Sequence, residues 1–125
     1  MLFDAIREIL MDLLDLEAEA VAPESYLVRD LDAESIDFLE LAVALNERFH
    51  IPVHDDSLFL RNLRLHLAEA RSGGQPLLAF LKSKYGWLSE LRLAQMLADL
   101  EGGPVLQVRD LTEYVQWQMN LTQAA

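Results

Sequence analysis

Residues 30–52 read DLDAESIDFLELAVALNERFHIP, and the reading of this stretch decides the architecture. Asp32 and Ser35 are both favoured N-cap types, so a helix is expected to start between them and run through Ile36–Phe49. It must stop before Pro52, because the residue preceding a proline is pushed out of helical geometry. Phe38, Leu41, Ala42, Leu45 and Phe49 share one face and read as core. Ile36, Leu39 and Val43 form a second apolar strip, bordered by Glu40 and Glu47. A surface helix needs only one apolar face. The second strip therefore calls for deeper burial or a partner.

The alternating acids raise the possibility of a calcium loop, with Asp30, Asp32 and Glu34 in the first three ligand positions. Ser35 would then stand where glycine is needed and Leu41 where a bidentate Glu is needed, with Glu40 one residue out of register. The calcium reading fails on those two defects. At a helix N-terminus, by contrast, Ser35 presents an exposed hydroxyl. Free backbone N–H groups and the helix dipole there stabilise a phosphate attached to it. A plain capping serine explains Ser35 taken alone. The two apolar strips and the acids Glu34, Asp37, Glu40 and Glu47 weigh on the other side.

Working outward, Phe3, Ile6, Ile9, Leu10, Leu13 and Leu14 recur at helical spacing with Asp4, Arg7, Glu8 and Asp12 between them, predicting an amphipathic helix over Leu2–Leu14. Residues 15–30 lose that period. Pro23, Ser25 and the apolar Val21, Tyr26, Leu27 and Val28 indicate a long ordered connection pinned to the core, a length that is disproportionately functional. Further on, a leucine-dense helix is expected over Leu58–Arg71, stopped by Gly73-Gly74. Pro76 opens another over Leu77–Tyr85, and Ser89 caps a third over Glu90–Leu100. A last helix from about Val108 to Leu121 turns Leu111, Tyr114, Val115 and Met119 inward. With no alternating strand pattern and no internal repeat, the expected fold class is all-α: a helical bundle enlarged by two or three inserted helices.

The chain has 125 residues, 52% of them hydrophobic, which fits one domain with a modest core. It has no Cys, hence no disulfide, thiolate metal site or cysteine nucleophile, and such a composition suits a reducing compartment. No stretch approaches the roughly 20 apolar residues of a membrane span. Met1–Leu10 carries Asp4, Arg7 and Glu8 and lacks a basic region ahead of an apolar run, so no signal peptide is expected. The net charge of −11 repels nucleic acid and anionic lipid and favours basic partner surfaces. That charge is unevenly placed: residues 1–53 hold 13 acids and 3 bases, whereas residues 54–104 hold 6 of each. An acidic framework around a neutral middle indicates an insertion.

Other chemistry-bearing residues read as structural. His50 and His54 are four apart, but Pro52 breaks any helix between them, so they are expected to be solvated rather than metal ligands. His66 marks the polar edge of a leucine-rich helix, and Tyr85 and Trp87 beside Gly86 are accounted for by packing as well as by a pocket. There is no Gly-rich phosphate loop, Ser/His/Asp arrangement or basic aromatic patch, so no enzyme activity is expected.

Asp30–Asp37 with Leu39-Glu40-Leu41 and Leu45–Pro52 resembles the acyl carrier protein family, which bears a phosphopantetheine arm on the serine of an Asp-Ser-Leu motif opening its second helix. Helix one resembles it weakly and Val108–Val115 moderately, as a last helix. Glu34 replaces the usual Asp, Ile36 the usual Leu, and Asp32 stands where Gly is common, while residues 54–104 are far longer than the family's usual connection.

The resemblance implies a single carrier-like domain over 1–125, with framework 1–53 and 105–121 around the inserted helical region 54–104. It implies 4′-phosphopantetheine bound covalently to Ser35 by a phosphopantetheinyl transferase, supplying the thiol this chain lacks. Acyl intermediates held on it as thioesters would pass to acyl-loading and acyl-transfer enzymes of fatty-acid, lipid or polyketide biosynthesis. Ile36, Leu39 and Val43 would form the docking strip, while Asp30, Glu34, Asp37, Glu40 and Glu47 would attract basic partner surfaces. The family further implies a cytoplasmic monomer. Thirteen leucines between Leu58 and Leu100 exceed what one helix pair buries on itself, so the insertion is expected to share the framework's core, enlarging an acyl-holding cavity or forming a partner surface. The rival reading is an unmodified helical protein-interaction module of carrier-like shape.

Overall fold

The computed structural model describes residues 1–124, Ala124 by its backbone alone. Among these residues there are seven α-helices and no strand: α1 Leu2–Leu14, α2 Ser35–Phe49, α3 Asp55–Leu58, α4 Leu63–Ser72, α5 Leu77–Lys84, α6 Glu90–Ala98 and α7 Val108–Ala124. The fold is all-α, as the periodicities require. Helices α1, α2 and α7 pack on one another, and α5 packs between α4 and α6.

Helix α1 has the bounds its apolar spacing predicts, burying Ile6 and Leu10. It stops at Asp15, which adopts the left-handed conformation (φ 55°) that short polar side chains tolerate. Helix α2 buries Leu41, Ala42 and Leu45 and stops at His50 (φ 54°), two residues before Pro52. Each leucine so buried contributes about 1.5–3 kcal/mol relative to exposure. In α7 Leu111, Tyr114 and Val115 are inside, and Met119 is partly buried. Gln118 is buried as well, donating to the Tyr114 hydroxyl at 3.0 Å.

The helix expected over Leu58–Arg71 is in fact two. The chain breaks between α3 and α4, with Leu60 left-handed at φ 56°. In a continuous helix Leu58 and Leu63, five apart, would face different ways; the break turns both inward with Leu67. Helix α6 ends at Ala98 rather than Leu100, passing into a 3-10 turn over Leu100–Gly102.

The two helix groups share one apolar cluster that runs from Ile6 and Leu45 through Leu67, Leu81 and Leu93 to Val115. Trp87 meets Tyr114 edge-on at 5.4 Å, so Tyr85 and Trp87 are packing residues. Two arginines join the groups through polar contacts. Arg92 of α6 grips the buried Asp110 of α7 with two bonds of 2.8 Å and donates to the Val105 carbonyl at 3.0 Å. Arg29 reaches Asp99 at 3.0 Å and the Asp99 and Gly103 carbonyls at 2.9 and 2.8 Å.

Candidate functional site

The connection from α1 to α2 is ordered by its own hydrogen bonds. Val21, Leu27 and Leu31 are buried, and Leu27 donates to the Leu106 carbonyl at 3.0 Å. Ahead of α2 the chain turns on Asp32, whose φ of 56° explains why a glycine suits this position. Ser35 then opens α2 at an exposed corner.

Ser35 is not the cap, contrary to one reading of the sequence. Glu34 is the N-cap: its carboxylate accepts from the backbone N–H of Asp37, while the Asp37 carboxylate accepts from the N–H of Glu34 at 2.8 Å. This reciprocal box leaves the Ser35 hydroxyl without a hydrogen bond among the described residues. Asp30 is engaged as well, its carboxylate accepting from the Tyr26 N–H at 2.9 Å. Three of the five acids expected to face partners thus have a local structural bond. Glu40 and Glu47 have no ion pair or hydrogen bond among the described residues.

Ile36, Leu39 and Val43 are 56, 51 and 56% exposed, so the second apolar strip of α2 is open rather than buried. Val43 with Glu40 and Glu47 lines an external groove of about 370 Å³ against Ile9, Asp12 and Leu13 of α1. A larger cavity of about 460 Å³ lies on the other side of α2. Its walls are Val28, Phe38, residues of the α3–α4 break from Phe59 to Arg64 other than Asn62, and the segment Gly103–Leu106, with the Phe38 and Phe59 rings tilted against each other at 4.8 Å between centroids. Phe38, in its wall, stands three residues after Ser35 on α2, and Ser35 itself does not line the cavity.

The sequence reading missed the cavity's far wall and the polar cluster beneath it. In that cluster the Tyr26 hydroxyl donates to Asp99, and Arg29 lies over the Tyr26 ring at 4.2 Å. The Tyr26 hydroxyl first, and the Arg29 guanidinium second, hold the Asp99 carboxyl below its usual range. The one available signal was Arg29 itself, the only base between Arg7 and Arg48. His50 ends α2 and His54 precedes α3, both exposed, and no group of three potential metal ligands occurs among the described residues. No described helix is long and apolar enough to cross a membrane.

Residues 4–64 match the family model described as "Phosphopantetheine attachment site". The chain is 47% identical over 55 residues to the acyl carrier protein of Picosynechococcus sp., covering 44% of this chain and 68% of that protein. It is 42% identical over 55 residues to the acyl carrier protein of Wolinella succinogenes, covering 44% and 72%. To that of Campylobacter curvus it is 40% identical over 53 residues, covering 42% and 69%. No solved structure matches the chain significantly. Since these alignments span more than two thirds of each relative, the chain belongs to the acyl carrier protein family, as a carrier rather than an enzyme, with 4′-phosphopantetheine as its prosthetic group.

Proposed function

We propose that Ser35 is the residue that carries the 4′-phosphopantetheine arm, and that acyl intermediates ride on the arm's thiol as thioesters. The observation that carries this is the position of the hydroxyl. It is exposed and unbonded at the first residue of α2, because the neighbouring carboxylates of Glu34 and Asp37 satisfy each other's backbone instead. The N–H groups of Ser35 and Ile36, which no intrahelical carbonyl can serve, are left for the arm's phosphate. The chain contributes no sulfur of its own to a thioester, since it has no Cys.

Delivery is to separate enzymes of fatty-acid, lipid or polyketide biosynthesis, after loading by a phosphopantetheinyl transferase, in the cytoplasm and from a monomeric carrier. Ile36, Leu39 and Val43 are the apolar contact for these enzymes, supported by their exposure in a row along α2. Glu40 and Glu47 steer basic partner surfaces, with Asp30, Glu34 and Asp37 adding field while they hold the loop. Residues 1–53 and 105–121 form the carrier framework and 54–104 an insertion; that both lie within one domain is supported by the shared apolar cluster.

Intact mass after incubation with coenzyme A and a broad-specificity phosphopantetheinyl transferase tests the site. Wild type gains one phosphopantetheine and Ser35→Ala gains none. Because Ser35 is not the cap, Ser35→Ala changes stability by less than about 0.5 kcal/mol. A gain on Ser35→Ala moves the site elsewhere. No gain on folded wild type, beside a control carrier that is modified by the same enzyme, favours the unmodified interaction module.

A further inference from the structure

Helix α4 turns a basic, partly apolar face to solvent in a chain whose net charge is −11. Arg64, Leu65, Ala68 and Arg71 are all exposed, Leu65 to 59%, while Leu63, Leu67 and Ala70 occupy the buried side. Arg64 and Arg71 have no ion pair or hydrogen bond among the described residues, whereas the neighbouring Arg61 pairs with Asp56 at 3.9 Å. Glu69, the one acid of this helix, is turned to His66 at 3.2 Å. The counterpart of this face is on α2. Glu40 and Glu47 are seven residues apart, as are Arg64 and Arg71, so each pair spans two turns, about 10.5 Å along its helix. Leu39 and Val43 flank the acids as Leu65 and Ala68 flank the arginines, but on the opposite hand around the helix. Strips of opposite hand come into register when two helices lie side by side in the same direction. Glu40 then meets Arg64, Glu47 meets Arg71, and the apolar residues meet beside them.

We propose that α4 of one copy of this chain docks on α2 of a second copy, through Arg64 and Arg71 against Glu40 and Glu47. The match fixes the occupant: opposite charges at equal spacing, apolar residues on the corresponding side, and both strips exposed. The contact is small and its charges stay near solvent, so it is weak, reversible and sensitive to salt. Where each copy gives both helices, the pair closes as a two-fold dimer; where each gives one, further copies add in series. Docking covers Leu39 and Val43, so a self-docked copy does not offer that strip to an enzyme, and delivery falls to the free monomer. This last consequence rests on the reading of α2 as the enzyme contact; the self-docking does not.

Sedimentation velocity of the unmodified chain, with no transferase present, tests the docking apart from the Ser35 reading. Wild type at low salt sediments faster as its concentration rises, and returns to the monomer at high salt. E40R/E47R and R64E/R71E, each verified by circular dichroism, oppose like charges, and the association constant of either alone falls at least about tenfold. Mixed in equal amounts they associate again, because the reversed α2 of one meets the reversed α4 of the other. Both variants keep a net negative charge, so overall attraction does not produce that rescue. Where a reversal unfolds the chain, R64Q/R71Q serves instead and likewise loses the concentration dependence. A wild type that stays monomeric, association that survives either reversal, or a mixture without rescue overturns the proposal. A monomeric wild type whose Arg64 and Arg71 bind a different acyl carrier protein also overturns it, assigning the face to a foreign acidic helix.

Discussion

Residues 1–53 contribute α1 and α2, of 13 and 15 residues, and hold 13 acids against 3 bases. Residues 54–104 hold 6 of each and fold into four helices of 4, 10, 8 and 9 residues. Helices shorter than about 12–15 residues are marginal on their own in water. The helices of residues 54–104 therefore owe their order to contacts with the rest of the chain, whereas α1 and α2 carry much of theirs in their own amphipathic patterns and end signals. The difference teaches that the acidic region is specified locally and the neutral one by long-range ties. Breaking the ties one at a time measures how far that holds.

The strongest tie is Arg92 to Asp110. Asp110 is 1% exposed and also accepts from the Gln107 N–H at 2.9 Å, ordering the start of α7. Arg92→Ala leaves that carboxylate buried without its counter-charge and is expected to cost about 3–5 kcal/mol in urea unfolding. A cost below about 1 kcal/mol, no more than a surface pair is worth, would mean that α6 does not hold α7 and would end the contrast.

Tyr85, at the end of α5, is 2% exposed, and its hydroxyl has no hydrogen-bond partner among the described residues. Removing an unsatisfied buried hydroxyl relieves its desolvation, so Tyr85→Phe is expected to stabilise by about 1 kcal/mol. Burial pushes the Tyr85 hydroxyl from 10.0 up to about 12. The folded state holds this proton more tightly than the unfolded state. Its contribution is therefore complete below pH 10.0 and lost as pH rises toward about 12. Unfolding midpoints of Tyr85→Phe across that window are expected to fall less than those of wild type.

A smaller effect tests the acidic side. Asp32 holds a left-handed φ of 56°, which glycine adopts without a Cβ clash. Asp32→Gly is expected to stabilise by about 0.5 kcal/mol, net of the greater freedom of glycine when unfolded, and a loss of stability would assign its side chain a role beyond the turn.

The smallest effect concerns the second tie. The folded state depresses the Asp99 carboxyl, so the unfolded chain takes up that proton first as pH falls. The Asp99 contribution is present above the ordinary carboxylate range and lost below it. Asp99→Asn is expected to flatten the acid limb of the stability profile, read as unfolding midpoint against pH.

These residues also show what was legible in advance. The bounds of α1, the inward face of α2, Ser35 at the head of α2 and the Ser89 cap, which accepts from the Arg92 N–H at 3.0 Å, follow from neighbours within one helical turn. The roles of Asp30, Glu34 and Asp37 were only half legible. An acid before a helix reads as a solvated charge until its backbone partner is known. Arg29 and Asp99 lie 70 residues apart, and no local pattern pairs them. Leu60 looked helical because leucine favours helices, yet burying both Leu58 and Leu63 overrode that preference. The cavity wall at Arg61 and Arg64 exists only because of that override.

The bridge between Tyr26 and Gln107 has a consequence for the timing of motion in the molecule. Leu27 donates to Leu106 and Val108 to Ser25, each at 3.0 Å, across the two ends of everything from α2 to α6. These amides are slow clocks. In deuterated water they are expected to exchange only when both ends of that span part company, and the exposed Gly73-Gly74 tip to exchange by local opening. The segment leading to Ser35, though it contains no α-helix, is thereby tied to the start of α7.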